Sequence, residues 1–209
     1  MTPGTASPIE RYYRLQAPIY DLTRWSFLFG RRALVRHAAR LSEPATVLEV
    51  GCGTGSNLRQ LARSFPAAQL VGVDASADML AQARRRTRTC RDRVRLERCP
   101  YDRARSGGAF DLIVFSYALS MFNPGWEAAL DGAWHDLAPD GLIAVVDFHA
   151  SPIPAFKRWM GCNHVRMDGH LLPALTERFS VLRADTDASY GGLWSRFTFL
   201  GTKPVYCLT

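Results

Sequence analysis

The chain has 209 residues, 47% hydrophobic and 22% charged, which suits one globular domain with a sizeable core. No apolar run approaches the roughly 20 residues that span a membrane, and nothing at the start reads as a signal peptide. The five cysteines form no CxxC pair, which speaks against a disulfide framework or structural zinc and for a reducing cytoplasm. The net charge of +7 is an arginine excess, concentrated between Arg84 and Arg105. That run is either a patch for nucleic acid or anionic lipid or a solvated helix face, and the solvated face is the simpler reading.

The first segment, 9–41, has helical patterning broken near Pro18. It sets Tyr12, Tyr13, Tyr20 and Trp25 among Arg11, Arg14 and Arg24, as a helical lid. From residue 45 short β-rich apolar runs alternate with helical stretches. Strands are expected at 46–50, 69–74, 93–98, 111–116, 142–148, 180–185 and 195–201, and helices at 56–64, 77–86 and 126–137. The last helix is expected to end at a Pro139-Asp140-Gly141 turn. Residues 186–194 leave no room for a crossover helix, so the last two strands should form an antiparallel hairpin. The fold class is therefore α/β: a Rossmann-like, mostly parallel seven-stranded sheet with an antiparallel C-terminal hairpin and helices on both faces. The chain reads as a single domain: lid 1–41, ligand-binding core 45–148, a substrate-side insertion 149–178 and the terminal hairpin 179–209. Ligands on such sheets bind beyond the carboxyl ends of the strands, where the lid and the insertion can roof them.

The chemistry concentrates at the end of the first strand. Val47-Leu48-Glu49-Val50 runs into Gly51-Cys52-Gly53-Thr54-Gly55 and then a helix. Glycines there allow a tight turn and a ligand pressed against bare backbone. A dinucleotide fingerprint would place its third glycine or alanine at position 56, which is Ser56. The third glycine comes one residue earlier, giving G-x-G-x-G. Asp74, about 20 residues on, closes the second strand where a ribose-binding carboxylate belongs. A plain strand–helix turn and a nicotinamide-dinucleotide site are the competing readings.

This E-x-G-x-G-x-G loop and the Val71-Gly72-Val73-Asp74 strand end resemble the first two motifs of class I S-adenosylmethionine-dependent methyltransferases. The resemblance implies that Gly51, Cys52, Gly53 and Gly55 bring backbone to the methionine moiety of S-adenosyl-L-methionine. It implies that Glu49 orients the loop near the amino group, that Asp74 takes the ribose hydroxyls, and that Ala75 or Met79 packs on the adenine. Asp102, beyond the irregular Arg98-Cys99-Pro100-Tyr101 stretch, is either the adenine-amino acceptor or a loop residue. Ser116, at the end of the fourth strand, completes the cofactor set.

On the substrate side, strand four ends Ser116-Tyr117-Ala118-Leu119-Ser120-Met121. It lacks the [DNS]-P-P-[YFW] element of amino methylases acting on nucleic acid, so no nucleic-acid partner is expected. Tyr12-Tyr13-Arg14 through Arg31, the 115–121 stretch and Val145-Val146-Asp147-Phe148 resemble the N-methyltransferase component of betaine-lipid synthesis. That resemblance implies a lipid amino headgroup, diacylglyceryl-homoserine, as acceptor, and peripheral contact of a cytoplasmic protein with a membrane. Tyr20 and Tyr117 would face the reacting nitrogen. Tyr12, Tyr13 and Trp25 would hold the substrate, because aromatic faces stabilise a quaternary ammonium. His149 and His164 are candidate proton acceptors, with a structural role as the alternative for each. No carboxylate cluster suggests a metal. A soluble amine, thiol or hydroxyl acceptor and a non-catalytic cofactor-binding module remain the other readings.

Overall fold

The computed structural model describes residues 28–204. Tyr12, Tyr13, Tyr20 and Trp25 lie outside the described residues. Seven strands form one sheet in the order β3-β2-β1-β4-β5-β7-β6. They are β1 Thr46–Val50, β2 Gln69–Asp74, β3 Val94–Arg98, β4 Phe110–Ser116, β5 Leu137–Ala150, β6 Ser180–Ser189 and β7 Trp194–Thr202. The first five are mutually parallel, and β7 pairs antiparallel with both β5 and β6. This is the architecture expected from the alternation of β-rich and helical stretches.

One face is covered by α1 (Arg31–Leu41), α2 (Ser56–Ser64) and α3 (Ala77–Arg86). Each turns a helical stripe inward, Leu34, Val35 and Ala38 from α1 and Leu58, Leu61 and Ala62 from α2, against β1, β2 and β4. On the other face α4 (Trp126–Asp136) and α6 (Leu171–Arg178) pack Ala129, Leu130, Ala133, Leu171 and Leu175 on Ile143, Val145, Phe197 and Phe199. The helix α5 (Pro154–Cys162) lies between β5 and α6 in sequence.

Three expectations change. Pro139-Asp140-Gly141 does not end a helix in a turn. It lies within β5 as an irregularity: β4 advances from Phe110 to Leu112 while its partners on β5 jump from Leu137 to Leu142. The terminal hairpin is tighter than 186–194 allowed, since β6 runs on to Ser189, β7 starts at Trp194 and only residues 190–193 turn the chain. Its alternation was invisible because β6 is an exposed edge strand guarded by Arg183, Asp185 and Asp187. Finally, the 149–178 segment is not one insertion, because α6 is a regular layer helix of the sandwich.

The order of β1 and β4 places a switch point between them: from β1 the chain moves to one side through β2 and β3, then returns to the other through β4 and β5. The glycine loop leaves β1 at that point, where open α/β sheets bind ligands.

Candidate active site

A cavity of about 520 Å³ opens at this switch point, lined by the glycine loop, the ends of β2 and β4, residues 121–125, Leu28 and Arg31, the first residue of α1. The three loop glycines serve different ends. A Cβ on Gly51 would lie 2.7 Å from the Ala118 Cβ, and one on Gly55 would lie 2.9 Å from the Ala83 Cβ. These two let the loop sit tight between the β4 end and α3. A Cβ on Gly53 would meet nothing within 4 Å. With Gly53 among the cavity-lining residues, that is bare backbone of the kind a ligand needs. The Cys52 N–H donates to the Val73 carbonyl at 3.0 Å and pins the loop to β2.

Asp74 is oriented by the loop it serves. Its Oδ2 accepts from the Gly53 N–H at 2.8 Å and its Oδ1 from the Ser76 N–H at 2.9 Å. Asp74 lines the cavity, and a carboxylate held in this way is the acceptor type that vicinal hydroxyls require. Ala75 and Met79 line the same wall. Ser76 caps α3 by accepting from the Met79 N–H.

At the floor, Glu49 is fully buried. Its Oε1 accepts from the Asn57 Nδ2 at 3.0 Å, while Glu49 Oε2 and Asn57 Oδ1 have no protein partner. Burial pushes the Glu49 carboxyl up to about 8, with the Asn57 amide and the Arg31 guanidinium opposing the rise. Two unmet polar oxygens beside a cavity suit a ligand ammonium, and the nearby Arg31 suits a carboxylate. Asn57, eight residues after Glu49, was not anticipated from the sequence. Its helical burial alone marks it as unusual, since asparagine seldom goes inside unpaired.

The remaining expected residues divide. Cys52, Ser116, Tyr117, Asp102 and His164 all line the cavity. The Cys52 thiol is driven further toward its neutral form by burial, and the Ser116 Oγ is buried without a partner. Asp102 is exposed at the mouth.

Tyr117 holds a left-handed backbone (φ 57°), donates its hydroxyl to the Phe29 carbonyl at 2.7 Å, and carries the Arg31 guanidinium 5.8 Å from its ring centroid. Its hydroxyl is therefore engaged and, by burial, still harder to ionise than a free phenol. The residue lines the cavity, and its hydroxyl ties the end of β4 to the backbone just before α1. His149 lies away from the cavity, with Phe197 at 6.2 Å between ring centroids, and burial lowers its proton affinity. His164 stands on the exposed rim.

Sequence reasoning missed a hub behind the substrate side. Ser120 is completely buried; its N–H donates to Asp147 Oδ2, and its carbonyl accepts from the Arg166 N–H at 2.8 Å and from Asn123 Nδ2 at 2.6 Å. Asp147 thus ties the 119–123 turn to β5, and the turn in turn holds the segment bearing His164. The 115–121 and 145–148 stretches, singled out separately in the sequence, are two halves of this one clamp.

Known proteins place this geometry. Residues 47–141 match the family described as a methyltransferase domain. A trans-aconitate 2-methyltransferase of Deinococcus radiodurans is 32% identical over 161 residues, 77% of this chain and 52% of that protein. A demethylmenaquinone methyltransferase of Thermus thermophilus is 34% identical over 67% of this chain and 66% of its own length. The chain thus spans about half to two thirds of these relatives. Among solved structures, the N-methyltransferase NodS of Bradyrhizobium japonicum in complex with S-adenosylhomocysteine aligns with TM-score 0.70 at 20% identity, covering 84% of this chain and 86% of that one. The fold is that of the class I S-adenosylmethionine-dependent methyltransferases, and residues 47–141 carry the match to a methyltransferase domain. Its loop, Asp74 and the Glu49–Asn57 floor fit that cofactor's glycine-contacting, ribose and amino-acid portions.

Proposed function

We propose that the chain transfers a methyl group from S-adenosylmethionine to a small-molecule acceptor. The observation that carries this reading is the cradle: Asp74 pre-oriented by the Gly53 and Ser76 N–H groups, above a floor where Glu49 Oε2 and Asn57 Oδ1 lack partners. Bound there, S-adenosylmethionine supplies an electrophilic methyl on a sulfonium. Asp74 accepts ribose hydroxyls, Glu49 and Asn57 accept from the ammonium, and Arg31 faces the carboxylate. The acceptor enters from the side of Tyr117, Met121, Asn123 and His164.

On that side the cavity is lined by Tyr117, Met121, Phe122, Asn123 and His164, and an in-line methyl transfer asks of them mainly alignment and exclusion of water. This favours acceptors whose attacking atom is unprotonated at neutral pH, such as a carboxylate oxygen, over a primary ammonium that must first shed a proton. The names of the two relatives, a trans-aconitate 2-methyltransferase and a demethylmenaquinone methyltransferase, agree with a small-molecule acceptor. Methylation of a betaine-lipid amino headgroup rests on the motif resemblance alone. Its 115–121 and 145–148 stretches have a structural use in the Ser120–Asp147 clamp.

The test is S-adenosylhomocysteine formation by the full chain with methyl-labelled cofactor. Acceptors would be small carboxylic acids, amines, quinols and lipid extracts, counted separately in aqueous and organic phases. Product in the aqueous acid fraction, abolished by Asp74→Ala, supports the reading. Label appearing only in lipid would replace it with the headgroup assignment. Cofactor binding with no turnover on any class would leave a binding module.

A further inference from the structure

The helix α5 is unlike its neighbours. It buries one residue, Met160, where each of the other α-helices among the described residues buries at least three. Phe156 is half-buried beneath it, but Ile153 at its start is 42% exposed and Trp159 53% exposed. Lys157 and Arg158 lie between them, both exposed, and Arg166 follows, paired with Asp168. From 149 to 167 the sequence contains no Asp or Glu. The helix follows the end of β5 at the carboxyl edge of the sheet, and His164, two residues beyond it, stands on the rim of the cavity.

We propose that α5 docks this protein on an anionic lipid surface. Trp159 and Ile153 enter the headgroup–acyl boundary, and Lys157 and Arg158 sit against anionic headgroups. Exposed tryptophan beside basic residues is the composition that interfacial helices use, the ring's apolar body buried and the cations drawn to the surface potential. Charge decides among the occupants such a patch can take. A second copy in a two-fold contact would set Lys157 and Arg158 against their own likeness, which repels. The chain's own residues 1–27 carry Arg11, Arg14 and Arg24 against Glu10 and Asp21, so they offer no net negative charge. An anionic bilayer complements the patch in both apolar and electrostatic terms. The inference depends on no particular acceptor, so failure of the methyl-transfer reading leaves it standing and its own failure leaves that reading untouched.

Co-sedimentation of the full chain with phosphatidylcholine vesicles, with and without about 30 mol % phosphatidylserine, tests it. The protein is expected to pellet with the anionic vesicles, and to be released as salt rises from about 0.1 to about 0.5 M. Each surface cation removed should weaken partitioning about five-fold. Lys157→Gln/Arg158→Gln should therefore lose about 25-fold. Trp159→Ser should lose several-fold more at high salt than at low salt, where the cations still hold. Both variants should keep wild-type S-adenosylhomocysteine affinity, which shows the body intact. Absence of pelleting overturns the proposal. So does pelleting that both variants leave unchanged, which would move the contact to the arginine run of 84–105 or to 1–27. A change of oligomeric state in Trp159→Ser with vesicle binding intact overturns it in favour of a second copy.

Discussion

Glu49 makes the sharpest prediction, because its ionisation joins folding and cofactor binding. The carboxyl is wholly buried, and burial lifts it from 4.5 to about 8, with Arg31 on α1 and Asn57 on α2 opposing and Asp74 on β2 adding to the rise. A carboxyl that ionises higher in the folded than in the unfolded chain holds its proton in the fold while the unfolded chain has lost it. Its contribution to stability is complete below about pH 4.5 and is lost as pH climbs through 8. Each pH step in that window removes up to about 1.4 kcal/mol, so the whole window amounts to a few kcal/mol. Glu49→Gln keeps the shape and the bond from Asn57 but cannot ionise. Urea unfolding of the ligand-free chain at a series of pH values should show wild type weakening between pH 5 and 8 more steeply than the variant. The bound ammonium reverses the preference by favouring the carboxylate. Cofactor binding near pH 7 should then release close to one proton, read by titration calorimetry in two buffers of different ionisation enthalpy. Equal pH slopes for wild type and Glu49→Gln, together with heats independent of buffer, would refute the reasoning.

Asp74→Ala should weaken S-adenosylhomocysteine binding by about 1.5–3 kcal/mol, the loss of charge-assisted bonds; unchanged calorimetric affinity in a folded variant would remove Asp74 from the site. Gly53→Val places a branched side chain where the backbone now faces open space, at a φ of 53° that costs a further 1–2 kcal/mol or so. Binding should vanish while the circular dichroism spectrum is kept, and normal binding would reduce the loop to a turn. Asp136, completely buried, accepts from the Tyr101 hydroxyl and from the Arg105, Ser106 and Gly107 N–H groups. Asp136→Ala strands these donors and should cost about 3 kcal/mol or more by urea unfolding. A loss below about 1 kcal/mol would mean that the 101–108 loop finds other partners.

The chain's periodicity and its glycine loop were enough to establish a mostly parallel sheet, a closing hairpin and a ligand site after β1. Those features are local: apolar alternation makes strands, and a backbone that must turn within a few residues shows its glycines. Asp74 was legible for the same reason, being the last residue of a recognisable strand at a fixed distance from the loop.

What the tertiary structure decided is everything that depends on which surfaces meet. Gly51 and Gly55 look alike in the sequence to Gly53, yet they answer to Ala118 and Ala83, residues distant in the chain. Asn57 gains meaning only because α2 turns it onto Glu49, and Asp147 only because β5 brings it under Ser120. Tyr117 gains a fixed orientation on the cavity wall because Phe29 and Arg31 arrive at the start of α1 beside its hydroxyl and ring. His149 leaves the site because β5 carries it beside Phe197 instead. Burial, which sets both the ionisation of Glu49 and the exposure of α5, is a property of packed layers. No single stretch of sequence contains it.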